Sequence, residues 1–198
     1  YVKYDEFECL VDLVAQNPSV IHQVDQNKQT LLHHAASTGN LKIVKFLVAN
    51  NAQFNEVDNR GNLPLHLAIM SEHKSAAKFL LSIGSEARLP NKNGLQPIHL
   101  AAERNDKDTL KILLKISEID VNAEGERGAS PLHYCCQRDS VDCLQLLHNV
   151  FGQMRTVCTY LDGLQCLAEK LSAAAPLFGP NSNAWKTVDL HEPTPKSP

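Results

Sequence analysis

Thr30-Leu31-Leu32-His33, Leu63-Pro64-Leu65-His66, Gln96-Pro97-Ile98-His99 and Ser130-Pro131-Leu132-His133 are four copies of one short motif. Their histidines stand 33, 33 and 34 residues apart. A fixed period of this length marks a chain built from stacked supersecondary units. A turn precedes each copy: Asp25-Gln26-Asn27-Lys28, Asp58-Asn59-Arg60-Gly61, Asn91-Lys92-Asn93-Gly94 and Gly125-Glu126-Arg127-Gly128. Three of these turns end in Gly, where a tight reversal calls for positive φ. Small residues follow each histidine: Ala35-Ala36, Ala68, Ala101-Ala102 and Cys135-Cys136. They suit a helix packed closely against its neighbours.

A second helical pattern completes each unit. Leu41, Ile43, Val44, Phe46 and Leu47 recur at helical spacing, and Ala76, Ala77, Phe79, Leu80 and Leu81 fill the same places one period later. Leu110, Ile112, Leu113 and Leu114 follow in the third unit, then Cys143, Leu144, Leu146 and Leu147 in the fourth. Each unit therefore reads as a turn, a short helix and a longer helix. Neither helix can bury its apolar face alone, and stacking supplies one continuous core. Shifting by 33 residues places Leu10, Val11, Leu13 and Val14 on Ile43, Val44, Phe46 and Leu47. Residues 1–24 thus read as the second helix of a preceding unit. The first residue is Tyr1, so the sequence is expected to be a piece of a longer protein.

The period and the T-P-L-H-like core resemble the ankyrin repeat. The resemblance covers roughly residues 1–175 and is specific over the central four units. It implies an all-α fold, an ankyrin-repeat solenoid of stacked helix pairs with short turn or hairpin connections. The expected divisions are 1–24, repeats at 25–57, 58–90, 91–124 and 125–160, a degenerate closing unit at 161–175 and a Pro-rich tail at 176–198. Leu63 and Gln96 stand where the family has Thr, and Leu31 where it has Pro. Of the glycines that close the first helix, only Gly39 is kept; Glu72, Asn105 and Asp139 replace the others.

The formal net charge is −3, so nothing global asks for nucleic acid. The longest apolar runs, such as Phe79-Leu80-Leu81, fall far short of a membrane span. No signal-peptide pattern opens the sequence. The six cysteines form no Cys-x-x-Cys pair. They read as reduced, buried thiols, with a zinc site as the sharper alternative. An intracellular protein, cytoplasmic or nuclear, is the expectation. Five of the ten prolines lie at or beyond Pro176, which reads as a loosely ordered tail carrying the single tryptophan, Trp185.

His33, His66, His99 and His133 could suggest a metal or a catalytic base. One histidine per repeat does not converge on a point, however. The resemblance assigns these residues a structural role, hydrogen bonding between turn and helix start. No nucleotide-binding loop, zinc-protease helix or nucleophile-elbow motif is present. The reading is therefore a non-enzyme with no catalytic residue, no metal and no cofactor.

The resemblance further implies that partners meet the turn tips and the exposed ends of the first helices, on the concave side. Carried over by position, the tips are Gln26, Asn27 and Gln29; Asn59, Arg60 and Asn62; Lys92, Asn93 and Leu95; and Glu126, Arg127 and Ala129. The helix ends are Ser37 and Thr38, Met70 and Ser71, Glu103 and Arg104, and Gln137 and Arg138. Met70 and Leu95 look like apolar anchors. Five bases, Arg60, Lys92, Arg104, Arg127 and Arg138, face two acids, Glu103 and Glu126, which would attract an acidic or phosphorylated segment. Arg104 and Arg138 should matter most. The outer-face pair Lys45 and Lys78 should be neutral. A monomeric interaction module of a larger scaffold or adaptor is the first reading, binding a partner protein without nucleic acid or membrane insertion. The alternative is a regulatory domain that docks on its own parent enzyme or channel.

Overall fold

The computed structural model describes residues 6–138 and 140–153. The closing unit expected at 161–175, the tail from Pro176 with Trp185, and Cys158, Cys166 and Asp139 lie outside these residues. Helix α1 spans Glu6–Gln16 and is followed by a 3-10 turn, Pro18–His22. Four helix pairs come next: α2 Leu31–Thr38 with α3 Leu41–Ala49, α4 Pro64–Met70 with α5 Lys74–Ser82, α6 Pro97–Glu103 with α7 Lys107–Leu113, and α8 Pro131–Gln137 with α9 Val141–Gln153. Among the described residues there is no strand. One antiparallel bridge, Val24 to Thr30, closes the first hairpin. The fold is an all-α solenoid of stacked helix pairs.

Each first helix begins where proline or its substitute sets the backbone. Pro64, Pro97 and Pro131 occupy the first turn, where a missing N–H costs nothing. The first three end in a left-handed residue. Gly39 adopts φ 72° and donates its N–H to the carbonyls of Ala35 and Ala36. Glu72 and Asn105 hold the same conformation without being glycine, at φ 63° and 51°. The expected contrast of short and long helices holds only in part. α6 and α7 both have seven residues, because Leu114 ends α7 and a run of turns follows it.

The first helices pack on one another, α2 on α4, α4 on α6 and α6 on α8, more closely than the second helices do. Ala35, Ala36, Ala68, Ala101, Ala102 and Cys135 are buried at those contacts, so backbones approach without bulky side chains between them. Val44, Leu47, Ala76, Ala77, Leu80, Leu110, Leu113, Cys143 and Leu147 fill the space between the two rows. α1 lies beside α3, with the Phe7 and Phe46 rings edge to face at 5.5 Å and Lys42 above the Phe7 ring at 3.8 Å.

Candidate functional site

The hairpins that carry the candidate tip residues are built by one device. The carboxylate of Asp25 accepts N–H bonds from Asn27 and Gln29 at 2.7 and 2.8 Å. Asp58 does the same for Arg60 and Asn62, both at 2.8 Å, and Asn91 for Asn93 and Leu95, both at 3.0 Å. The side chain thus satisfies two turn donors that no helix or sheet would serve. Across each hairpin Asp25, Asp58, Asn91 and Gly125 donate their own N–H to the carbonyls of Gln29, Asn62, Leu95 and Ala129. Gly125 has no side chain to repeat the pattern. The His99 ring presses on the space that a Cβ there would occupy.

The tips are also tied to each other. Asn59 donates its N–H to the Asn27 carbonyl at 2.8 Å and its side-chain amide to the Gln26 carbonyl at 2.9 Å. Lys92 donates its N–H to the Arg60 carbonyl at 2.9 Å. The first three tips therefore form one continuous edge. The sequence places Asp25 and Asp58 each at the start of a turn without showing that their carboxylates build it. Their spacing to the following turn donors is the signal that could have identified them. Burial pushes the Asp58 carboxyl up, but the bonds from Asn62, Gln29 and Arg60 outweigh it and hold the group below its ordinary range.

Inside the stack the four histidines repeat a second device. Nδ1 accepts the backbone N–H of Thr30, Leu63, Gln96 and Ser130 in turn, each at 3.1 Å. That acceptor role fixes the hydrogen on Nε2. Nε2 of His33 and His66 then donates to the carbonyls of Asn62 and Leu95 in the next repeat, both at 3.1 Å. His99 departs from the series and donates to Ala123 at 2.7 Å, six residues before Ala129, whose place in the hairpin matches that of Asn62 and Leu95. The additional residue in the third repeat and the bare Gly125 go with this shift. Thr30 and Ser130 also hydrogen-bond the ring through their hydroxyls. Where Leu63 and Gln96 replace the hydroxyl residue, the ring nitrogen alone holds the helix start. Burial lowers the pKa of His33, His66 and His99, the carbonyl that each Nε2 meets only partly offsetting it, and His66 falls to about 4. Both nitrogens of these three rings are spent on protein, so they have no lone pair for a ligand.

The remaining candidate residues separate into groups. Asn59, Arg60, Lys92, Asn93, Glu126 and Arg127 are exposed on the tips, and Ser71, Arg104, Gln137 and Arg138 on the helix ends. Asn62 is not a surface residue: it is 2 % exposed, and its side chain donates to Asp58 at 3.2 Å and accepts from Asn91 at 2.9 Å. Met70 and Leu95 are half-buried and packed against the core, because the adjoining repeats cover them. They are not the protruding anchors expected. Arg104 and Arg138 are not free cations. Arg104 lies 3.6 Å from Glu72 and Arg138 2.8 Å from Glu103, each bridging successive repeats. Glu72 reads in the sequence only as a replacement for the helix-closing glycine, not as a residue of this face. Lys28 reads there only as a turn residue; it is exposed on the first tip at φ 58°.

Outside this face, Lys74 pairs with Asp106, Lys78 with Asp108, Arg88 with Glu118 and Lys107 with Asp142, always from one repeat to the next. Lys45 lies over the Phe79 ring at 5.7 Å. Lys45 and Lys78 thus each hold a neighbouring repeat. Cys135 and Cys143 are buried, with sulfurs toward the carbonyls of Ala102 and Ala101, whereas Cys9 is exposed.

No helix among the described residues is long and apolar enough to cross a membrane. No curated protein matches the chain. A family model described as ankyrin repeats (3 copies) matches residues 1–91 and again residues 76–154. With that match over most of its length, and with one hairpin, one helix pair and one bridging histidine recurring along the stack, the chain belongs to the ankyrin-repeat family.

Proposed function

We propose that the chain is an intracellular interaction module, part of a larger scaffold or adaptor, acting as a monomer. It holds a partner protein on the face made by the hairpin tips and the exposed ends of the first helices. Ankyrin repeats are generic protein–protein interaction modules. The observation that carries the reading is the backbone bonding of successive tips, Asn59 to Asn27 and Lys92 to Arg60. It makes a rigid, solvent-facing edge beside Ser71, Arg104, Gln137 and Arg138, so a partner would meet a surface already ordered. The partner's segment is acidic or phosphorylated, since the cations left unpaired on this face lie on the tips.

The test is affinity capture with the full chain against two variants. Ser71→Arg with Gln137→Arg crowds the helix ends without touching the tips. Lys115→Glu alters an exposed residue at the end of the outer helix α7. The crowded variant should lose the captured protein, and Lys115→Glu should keep it. The opposite pattern would move the binding surface to the outer face.

A further inference from the structure

The exposed cations of this stack fall into two classes. Lys74, Lys78, Arg88, Arg104, Lys107 and Arg138 each reach an acid of a neighbouring repeat, and Lys42 and Lys45 lie over aromatic rings. Their charge is spent within the molecule. Six others, Lys28, Arg60, Lys92, Lys111, Lys115 and Arg127, are exposed, and among the described residues none has an ion-pair partner. Lys111 and Lys115 lie at the end of α7 and Arg127 on the fourth hairpin, which leaves Lys28, Arg60 and Lys92. They occupy the three tips that backbone hydrogen bonds join into one edge. The acids of the same turns are engaged elsewhere. Asp58 is buried beneath its own hairpin, and Asp25 binds its turn N–H groups and His34 at 3.1 Å. On the arms of the first two hairpins Val24 and Val57 stand 57 % and 41 % exposed.

We infer that Lys28, Arg60 and Lys92 form a linear recognition strip for an extended, carboxylate-rich protein segment, one acidic side chain to each tip. The inference rests on the proposed interaction face and narrows it to residues on one edge. Lys92 donates to the carbonyl of Arg60, so those two residues stand side by side as neighbours across a strand pair do. In an extended ligand alternate side chains share a face, roughly 6.6 Å apart, and so present a row of acids along one side. Rigid tips spare the ordering cost that would otherwise weaken such contacts. Val24 and Val57 offer apolar contact to residues beside the acids. Arg104 and Arg138 do not contribute, because each is already neutralised by Glu72 and Glu103.

The test uses the full chain and a fluorescent twelve-residue peptide of alternating Glu and Ser, read by anisotropy at low salt. Binding should be saturable and should weaken as salt rises toward a Debye length below 10 Å. Arg60→Glu, and separately Lys28→Glu with Lys92→Glu, should weaken it by about tenfold or more, about 1.4 kcal/mol. Arg104→Gln and Lys115→Glu should leave it unchanged, and circular dichroism should show each variant folded. Four results would overturn the inference: no binding at low salt, equal loss with Lys115→Glu, tighter binding of a phosphoserine peptide, or tighter binding of a single-stranded oligonucleotide at the same tips. The Ser71→Arg with Gln137→Arg variant leaves the strip intact. Failure of the strip therefore leaves the wider interaction face standing, and failure of that face leaves peptide binding in place.

Discussion

Nε2 of His66 lies 3.1 Å from the carbonyl oxygen of Leu95, in the next repeat. Nδ1 of the same ring accepts from the Leu63 N–H, and that second bond exists only in the neutral imidazole, whereas the bond to Leu95 would survive protonation. A proton added to the ring would have to displace the Leu63 N–H, in a site with no access to water. The arrangement makes a stabilising contact into a pH-dependent one.

Stability should therefore fall with acid. The folded pKa of His66 is depressed to about 4, below its value in the unfolded chain. The unfolded state then binds the proton first. The contribution is whole above about pH 6.5 and is lost as pH falls toward 4, amounting to about 3 kcal/mol once that value is passed. His33 and His99 act in the same direction. Urea midpoints at pH 7 and pH 5 measure the loss. A His66 ring that titrates by NMR near pH 6.5 in the folded protein would contradict it.

Glu72 stands at φ 63°, where Gly39 sits in the preceding repeat. An L-residue pays of the order of 1 kcal/mol for that conformation. Its ion pair with Arg104 at 3.6 Å is exposed and returns little. Glu72→Gly should raise stability by about 0.5–1 kcal/mol in chemical denaturation. Gly39→Ala should do the reverse and more, because the new Cβ would collide with the His73 ring. Equal effects of the two changes would remove the strain argument.

Thr109 is fully buried, and its hydroxyl has no hydrogen-bond partner among the described residues. An orphaned hydroxyl costs on the order of 1–3 kcal/mol of desolvation. Thr109→Val keeps the shape and removes the penalty. A rise in melting temperature of a few degrees is expected, and a fall would mean that the hydroxyl has a partner.

Arg138→Glu places two carboxylates together where Arg138 now meets Glu103 at 2.8 Å. The loss should be about 1 kcal/mol or less, given the exposure of the arginine. Adding Glu103→Arg should restore most of it. Thermal melts of the two single variants and the exchanged pair test this. If the exchange restores nothing, the pair contributes nothing to joining the repeats.

Thiol chemistry should divide the described cysteines. Burial pushes the Cys143 thiol up to about 12 and raises Cys135 further. Cys9 is exposed. At pH 8 a maleimide should label Cys9 within minutes and leave Cys135 and Cys143 unlabelled until the chain is unfolded, as peptide mass mapping would show. Prompt labelling of Cys143 would reveal local opening of the last helix pair.

The repeating motif made the helix pairs legible, since proline, histidine and small residues each state one local requirement. The turn glycines Gly61, Gly94 and Gly128 were equally plain, and all three adopt positive φ. The interaction face was less so. Asn62 and Arg60 stand two residues apart in one hairpin, yet one is buried and the other free, because only the first faces the neighbouring hairpin. Arg138 and Glu103 are 35 residues apart and become neighbours only when repeats stack. Pairing of this kind has no local signature, so a count of charges by position overstated the free cations at the helix ends. Lys28 and Glu72 read only as turn and helix-end residues for a related reason: both occupy places where the other repeats or the family have glycine.

The bonds between repeats have a mechanical consequence. The longest described hydrogen bond in sequence terms, from the Cys143 sulfur to the Ala101 carbonyl, spans 42 residues, and it still joins adjacent repeats. None of the described ion pairs reaches farther than that. Load applied at one end is therefore borne by a single seam before any other. Under tension such a molecule should yield in steps, each releasing roughly 110 Å of chain, and a freed repeat would have its intact neighbour as a template to re-dock on. The stack behaves less like a block than like a spring with separately releasable coils.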